Sequence, residues 1–482
     1  MRIGQTSVIY FLSKLVGSVL GFFATIYFAR VLGETVLGQY ALALTVVGWL
    51  AIGGQVGFSG AITKRVSEGN EPDRFIGAGF IVMSILSGIV ILVVLIFRSS
   101  INNYVGQDVH LLILLLILIL LYKSVVFSSL KGSHLVHIYA LLASGFQVIQ
   151  AIIQILLVAI FGLGLMGMLW GYASAYVIVA TIGFWILGMR PSLPNREHII
   201  SLYEYAKYSW LGNIRGKTFS SVDIAVLGFF TTQGLIGIYS VAWSLSKFLD
   251  IFGNAISSTL FPEMSRVSSD QDADATAGLV EDALSYAGLI LVPGLIGAYV
   301  IGDRLMRIYG PSFVSGTEVL AILILALLIY TYTMQLLNTL NAIDRPDLAF
   351  RTNAVFVISN LSMNIVLIWQ FGWVGAAIAT AMSAAVGLIL AVYYTRDLVP
   401  YSIPYLEIAR QWIAALVMGG IVFAAREIGE VNLTWINDYN AVFVVMLVGL
   451  GAAVYFAVLF GISSRFRTTV KNNLPFDIPV LT

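Results

Sequence analysis

The chain has 482 residues, of which 59% are hydrophobic and 11% charged, and its mean hydropathy is +0.92. Because soluble domains carry roughly a quarter charged residues, this composition excludes a soluble globular protein as well as a disordered one. A formal charge of +1 gives no net positive potential that would attract nucleic acid. The absence of cysteine excludes disulfide bonds and thiolate chemistry. With only four histidines we also expect no metal site, and no cofactor is expected.

Fourteen apolar stretches are each long enough to form a helix across a hydrocarbon core of ~30 Å. The first six predicted spans lie near residues 7–28, 37–61, 75–97, 109–127, 138–161 and 167–189. The next six lie near residues 206–230, 235–261, 279–301, 319–340, 348–371 and 374–394, and two more lie near 412–425 and 442–462. The predicted fold class is therefore all-α, a polytopic membrane protein of about fourteen transmembrane helices.

The distribution of Lys and Arg predicts that both termini are cytoplasmic. Positive residues stay on the cytoplasmic side of a membrane. With the N-terminus inside, most of them fall in or beside inner connections, Lys123 and Lys131 at the end of span four among them. The outer loops then hold only a few, which are Arg30, Arg98, Arg304, Arg307 and Arg426. We therefore expect a multi-pass protein of the plasma membrane.

Short matching segments predict an internal repeat. The sequence LGQY at 37–40 matches IGIY at 236–239, and GLMG at 164–167 matches GWVG at 372–375. We therefore expect two six-helix lobes, residues 1–200 and 201–400, followed by two further helices and a cytoplasmic tail in 401–482. An even number of spans per copy gives both copies the same topology, which is the parallel-repeat plan of transporters.

Several further motifs occur in a characteristic order. They are GQY at 38–40, VDIAVLG at 222–228, LIGIY at 235–239, LFPEMS at 260–265 and YGPSF at 309–313. Together they resemble the polysaccharide flippases of the multidrug/oligosaccharidyl-lipid/polysaccharide (MOP) exporter superfamily, over most of the chain up to about residue 394. The resemblance implies two lobes that open alternately inward and outward, and transport of lipid-linked sugars without ATP hydrolysis by this chain.

Ionisable residues inside spans are costly, so each is a candidate for function. Lys14 lies in SKLVG at 13–17, which resembles a Ser-Arg-x-x-Gly segment of the lipid II flippase branch, and the resemblance implies that Lys14 binds substrate phosphates. A lysine that extends to the cytoplasmic headgroups is the alternative. In span seven, Arg215 and Lys217 are about 200° apart on a helix, so a straight helix directs only one of them towards a cavity.

Span eight has a polar face that includes Lys247, Asp250 and Asn254, which we predict to contact substrate. Lys247 and Asp250 are three residues apart, so the alternative is a pair that neutralises itself within the helix. Asp223 of span seven and Arg30 are assigned structural or coupling roles. Asn353, Asn360 and Asn364 of span eleven suit sugar hydroxyls and helix–helix contact equally.

The resemblance implies a flippase that moves a lipid-linked sugar or oligosaccharide from the cytoplasmic to the outer leaflet, for cell-surface polysaccharide or glycoprotein glycans. The carrier would be a polyprenyl phosphate, a polyprenyl pyrophosphate or dolichol phosphate. We expect a monomer without enzymatic activity whose partners are this substrate, membrane lipids and glycan-assembly enzymes. One alternative is a cation-coupled multidrug exporter of the same superfamily. The other is a membrane-embedded glycan polymerase or ligase, which the short outer loops disfavour.

Overall fold

The computed structural model describes residues 3–55, 57–209, 211–249, 264, 266–267, 273–432 and 438–473. These residues form helices and short connections, and none of them is in a β-strand. The chain divides into two compact units, Met1–Ser240 and Val241–Thr482. The all-α fold class expected from the sequence is confirmed.

The first unit contains nine helices and the start of a tenth among the described residues. They are α1 Ile3–Gln55, α2 Phe58–Ser67, α3 Pro72–Ile96, α4 Arg98–Val105, α5 His110–Gly132, α6 Val136–Ala159, α7 Gly164–Leu187, α8 Arg196–Ser209, α9 Leu211–Phe230 and α10 Gln233–Leu249. Within this unit α6 packs along α7, and both α5 and α1 pack beside this pair. The short helices α2, α4 and α8 are too short or too polar to cross a membrane and were not predicted as separate elements.

The second unit continues the helical plan in its described part. It contains α11 Ala273–Ala287, α12 Leu291–Arg307, a 3₁₀ helix Pro311–Gly316, α13 Thr317–Ala342, α14 Pro346–Arg396, α15 Tyr405–Asn432, α16 Asn440–Ile462 and α17 Ser464–Asn473. Predicted span nine is divided by a break between α11 and α12 at residues 288–290. Here the apolar run continues while the helical hydrogen bonding does not.

Two of the helices are each interrupted by one glycine. The 53 residues of α1 and the 51 residues of α14 would each extend about 75–80 Å, far more than one bilayer crossing. Gly33 in α1 has φ 78° and ψ 176°, and Gly372 in α14 has φ 60° and ψ −145°. Only glycine adopts these angles without strain, so each residue separates two spans within one continuous run.

The number of membrane crossings follows from these interruptions. The described part has ten helical stretches that are long and apolar enough to span a membrane, and α11 and α12 together form one of them. Because α1 and α14 are each interrupted by a glycine, we count two spans in each. They correspond to predicted spans one to six and nine to fourteen, so the chain is a multi-pass membrane protein. Predicted spans seven and eight fall on α9 and α10 and extend into residues outside the described part. The total of fourteen and the orientation therefore stay predictions.

The two LGQY-type segments meet in the first unit. A Cβ atom on Gly38 of α1 would lie 1.7 Å from the Gln233 carbonyl oxygen of α10. A Cβ atom on Gly237 of α10 would lie 1.9 Å from the Glu34 carbonyl oxygen of α1. Each glycine thus contacts the carbonyl four residues before the other, so these two segments cross with near two-fold symmetry. Small residues permit such close backbone approach between membrane helices.

Candidate functional site

The structure describes the side chains of only some of the residues predicted to bind substrate. Lys14 lies on α1, and Arg215 and Lys217 lie on α9, but their side chains are outside the described part. Asp250 and Asn254 are also outside the described residues, so the proposed pairing of Lys247 with Asp250 is not tested. These assignments stay predictions.

Asp223 occupies a buried position between α9 and α10. Its side chain is 4% exposed and accepts a hydrogen bond of 2.5 Å from the hydroxyl of Tyr239, which is 1% exposed. A hydrogen bond to a charged group is among the stronger contacts available to a buried carboxylate. This contact ties α9 to α10, and a role in substrate binding does not follow from it.

Lys247 and Arg30 are both exposed. The Nζ atom of Lys247 lies 5.1 Å from the centroid of the Trp243 ring, one turn earlier on α10. Arg30 lies three residues before the interruption at Gly33. The substrate-binding role of Lys247 and the structural or coupling role of Arg30 stay predictions.

Lys123 on α5 lies in an environment that the sequence does not indicate by itself. It is nine residues before the helix end at Gly132, roughly 14 Å along the axis. Its Nζ atom lies 4.6 Å from the ring centroid of Phe127 and 4.6 Å from that of Tyr176. Among the described residues Lys123 makes no ion pair with a carboxylate, although its side chain is mostly buried.

Three aromatic residues of α6 and α7, here termed the aromatic group, adjoin Lys123. Tyr176 stacks on Phe146 with the ring centroids 4.0 Å apart and an interplanar angle of 26°. The hydroxyls of Tyr172 and Tyr176 are 3.1 Å apart, and Tyr172 packs edge-on against Phe146 at 5.4 Å. All three side chains are partly exposed, so they are not sealed within a closed core.

Glutamines at helical spacing extend this polar surface along α6. The Nε2 atoms of Gln150 and Gln154 donate to the hydroxyl of Tyr40 at 3.3 and 2.9 Å. Gln154 also donates to the Met168 carbonyl oxygen at 2.7 Å, which ties α6 to α7. A Cβ atom on Gly17 of α1 would lie 2.6 Å from Oε1 of Gln147. The α1 backbone therefore approaches α6 beside the glutamines, one turn after Lys14.

The sequence carried signals for this site that were not combined. The hydropathy pattern predicts that span four ends at residue 127, which places Lys123 at the inner end of that span. The helix continues to Gly132, so Lys123 lies deeper than predicted. Tyr172 and Tyr176 are four residues apart, and the glutamines of α6 recur at three- and four-residue steps, so each set lies on one helix face.

The second unit holds a different polar cluster between the two halves of α14. The Nδ2 atom of Asn360 donates to the hydroxyl of Ser383 at 2.9 Å, and Nδ2 of Asn364 donates to the Asn360 carbonyl oxygen at 3.0 Å. Asn360, Asn364, Thr380 and Ser383 are all 0% exposed. Of the two uses predicted for the span-eleven asparagines, this geometry serves helix–helix contact.

Comparison with known proteins places these features in context. The model of the family described as polysaccharide biosynthesis protein matches residues 3–268. Probable flippase AglR of Haloferax volcanii is 30% identical over 485 residues, covering 98% of each chain. Probable low-salt glycan biosynthesis flippase Agl15 of the same organism is 29% identical over 458 residues, covering 93% of this chain and 95% of its own.

Solved structures show the same fold at lower sequence identity. The lipid II flippase MurJ in an inward closed conformation superposes with a TM-score of 0.79 at 16% identity, covering 96% of this chain and 99% of its own. An inward-facing multidrug resistance transporter of the MATE family superposes with a TM-score of 0.64 at 14% identity, covering 81% and 97%. The second structure is described as a member of the MOP superfamily, and at these identities both structures show the fold alone. The resemblance to polysaccharide flippases drawn from the sequence motifs is confirmed by the family model and the two Haloferax relatives.

Proposed function

Since the chain belongs to the polysaccharide biosynthesis protein family, we propose that it is a flippase that moves a lipid-linked sugar or oligosaccharide across the membrane. The direction would be from the cytoplasmic to the outer leaflet, on a polyprenyl or dolichol phosphate carrier. The glycan would then serve assembly of cell-surface polysaccharide or glycoprotein. The flippase names of relatives that match nearly the whole chain support this proposal.

One structural observation carries the proposal further, namely the mid-helix cation Lys123 beside the partly exposed tyrosines Tyr172 and Tyr176. A charge within a membrane span costs several kcal/mol unless a partner or water compensates it. Lys123 makes no ion pair among the described residues, so an anionic substrate would supply the missing partner. Hydroxyl groups beside it provide donors and acceptors suited to a sugar.

The multidrug exporter of the same superfamily is less well supported. Binding of an organic cation calls for carboxylates in the spans that surround the substrate. Helices α5, α6 and α7, which surround the aromatic group, contain no Asp or Glu. The local charge at this position is therefore positive, which repels a cation and attracts a phosphate.

Transport by the purified full chain in liposomes tests the proposal. The probe is a fluorescent polyprenyl-phosphate glucose in both leaflets, and a membrane-impermeant quencher reports the outer leaflet. Protein-containing vesicles should expose the inner-leaflet pool over time, whereas protein-free vesicles should not. A phosphatidylcholine with the same fluorophore is the control and should stay protected. Movement of an organic cation such as ethidium, without movement of the glycolipid, would identify the exporter instead.

A further inference from the structure

Resting on the proposed function, we propose that Lys123 and the aromatic group Phe146, Tyr172 and Tyr176 bind the head of the lipid-linked substrate. Lys123 contacts the phosphate, and Tyr172 receives the sugar attached to it. The site lies within the first unit, between α5, α6 and α7. These residues are additional to the predicted Lys14, which the family resemblance implied, and to Arg215 and Lys217, which were predicted as ionisable residues within a span.

The phosphate assignment follows from how the ammonium of Lys123 is held. Two ring faces lie 4.6 Å from Nζ, and each offers a cation–π attraction that offsets part of the cost of burial. An aromatic ring uses no N–H of the ammonium for a conventional hydrogen bond, so the three donors remain available to phosphate oxygens. A carboxylate in the same place would compete with the phosphate for the charge. The arrangement therefore leaves the amine of Lys123 accessible to an anion.

The sugar assignment follows from the surfaces that are still open. Both Lys123 and Phe146 contact the ring of Tyr176, so this ring positions the lysine rather than receives a ligand. Tyr172 makes T-shaped contacts with Phe146 and Tyr176, with ring centroids 5.4 and 4.8 Å apart, and its side chain is partly exposed, so part of its surface is open to a ligand. The C–H face of a sugar is weakly positive and packs on the negative face of an aromatic ring. The Tyr172 hydroxyl, which shares a hydrogen bond with the Tyr176 hydroxyl, has further capacity to bond a sugar hydroxyl.

The second lysine of α5 offers a matched control. Lys131 lies in the last turn of the same helix, and its Nζ atom is 5.1 Å from the centroid of the Tyr139 ring. It shares residue type, helix and an aromatic contact with Lys123, but lies eight positions nearer the helix end. A general effect of removing a lysine from α5 would appear in Lys131→Gln as well as in Lys123→Gln.

Three probes that share the same geranyl tail distinguish the phosphate contact from the sugar contact. Geranyl phosphate carries only the phosphate, geranyl glucoside carries only the sugar, and geranyl phosphoryl glucose carries both. Binding is measured by calorimetry with the full chain in nanodiscs. Lys123→Gln should weaken the binding of geranyl phosphate and of geranyl phosphoryl glucose about tenfold, as expected for loss of a hydrogen bond to a charged group. It should leave the binding of geranyl glucoside unchanged. Tyr172→Leu should weaken the binding of geranyl glucoside and leave the binding of geranyl phosphate unchanged. Lys131→Gln should change the binding of none of the three probes.

Several outcomes overturn the proposal. They are undiminished binding of geranyl phosphate to Lys123→Gln, an equal loss in Lys131→Gln, or no binding of geranyl phosphate to the parent chain. Should Lys123→Gln not fold, Lys123→Arg provides the test. Lys123→Arg should bind geranyl phosphate with an affinity within about a factor of two of the parent chain, because the interaction depends on charge. A tenfold loss of affinity in a folded Lys123→Arg contradicts the proposal.

The transport assay is a separate test. If the parent chain moves the glycolipid and Lys123→Gln moves and binds it equally well, this site is wrong and the flippase stands. If the parent chain moves no glycolipid, the flippase is wrong, and the three-probe binding still decides the ligand of the site.

Discussion

Helices α6 and α7 of the first unit and the two halves of α14 in the second unit share one backbone plan but differ in how they use polar residues. The second helix of each pair starts beside a glycine with positive φ, Gly164 at 52° and Gly372 at 60°, within the matching segments GLMG and GWVG. In the first pair the polar and aromatic side chains are mostly partly exposed, and they adjoin Lys123, which makes no ion pair with a carboxylate in the described part of the chain. In the second pair the polar cluster is completely buried.

This difference shows how two copies of a repeated unit can share a backbone fold while their polar side chains lie in different environments. Hydrogen bonds between buried amides and hydroxyls hold membrane helices together, since lipid offers no alternative partners. The Asn360 cluster has this character, because its groups bond one another. Lys123 and Tyr172 have contacts that leave capacity for a ligand. The two regions can therefore be separated experimentally, with stability as one readout and transport as the other.

The largest expected effect is on the stability of the second pair, through Gly375→Ala. A Cβ atom at Gly375 would lie 2.0 Å from the Leu367 carbonyl oxygen, so the two halves of α14 must move apart, at a cost of about 3 kcal/mol. Thermal unfolding of the detergent-solubilised chain measures this loss. Gly167 is the repeat counterpart, and its nearest contact is a Leu163 side-chain atom at 3.0 Å. Gly167→Ala should therefore cost less than about 1 kcal/mol, and equal losses would contradict the difference between the copies.

Asn360→Leu should have the next largest effect. It removes the hydrogen bond to Ser383 and leaves the Ser383 hydroxyl buried, which costs about 1–2 kcal/mol. The thermal midpoint should fall, while geranyl phosphate should bind as tightly as to the parent chain. Ser383→Ala is the control for the partner and should cost less, because the smaller group leaves fewer buried polar atoms. A loss of binding without a loss of stability would show that this cluster contacts substrate.

Lys123→Gln should produce the opposite pattern. Glycolipid transport in liposomes should fall about tenfold, because the phosphate loses a charged donor. The thermal midpoint should stay the same or rise, since an unpaired charge is removed from the membrane-spanning part. Lys131→Gln serves as the comparison and should transport at the parent rate. A fall in stability with unchanged transport would make Lys123 a packing residue like Asn360.

Tyr172→Phe should have the smallest effect. It keeps the ring that receives the sugar and removes only the hydroxyl that lies 3.1 Å from the Tyr176 hydroxyl. Transport should fall by about twofold, which matches the loss of one neutral hydrogen bond. Tyr172→Leu removes the ring, so its transport rate should fall further. Equal rates for these two variants would contradict stacking on Tyr172.

The sequence predicted the fold far better than the site. Gly33 and Gly372 lie between predicted spans, at the points where α1 and α14 are interrupted, because a hydropathy minimum and a glycine coincide there. The LGQY and IGIY segments were recognised as repeat copies, but their direct contact at Gly38 and Gly237 was not foreseen. Lys123 was placed at a span end, since the apolar count stopped before the helix did. Asn360 and Asn364 were left open between binding and packing, because only burial separates these uses.

The sequence by itself determined the class of protein, the approximate positions of the described spans and the resemblance to a polysaccharide biosynthesis family. Hydropathy over about twenty residues is a local property, and the bilayer requires each apolar run to form a helix, so these features need no knowledge of contacts. Only the tertiary structure decided that Lys123, Phe146 and Tyr176 lie together while Asn360 and Ser383 are sealed within α14. The physical reason is that the environment of a polar side chain depends on which neighbouring helix covers its face, and that neighbour can be distant in the chain.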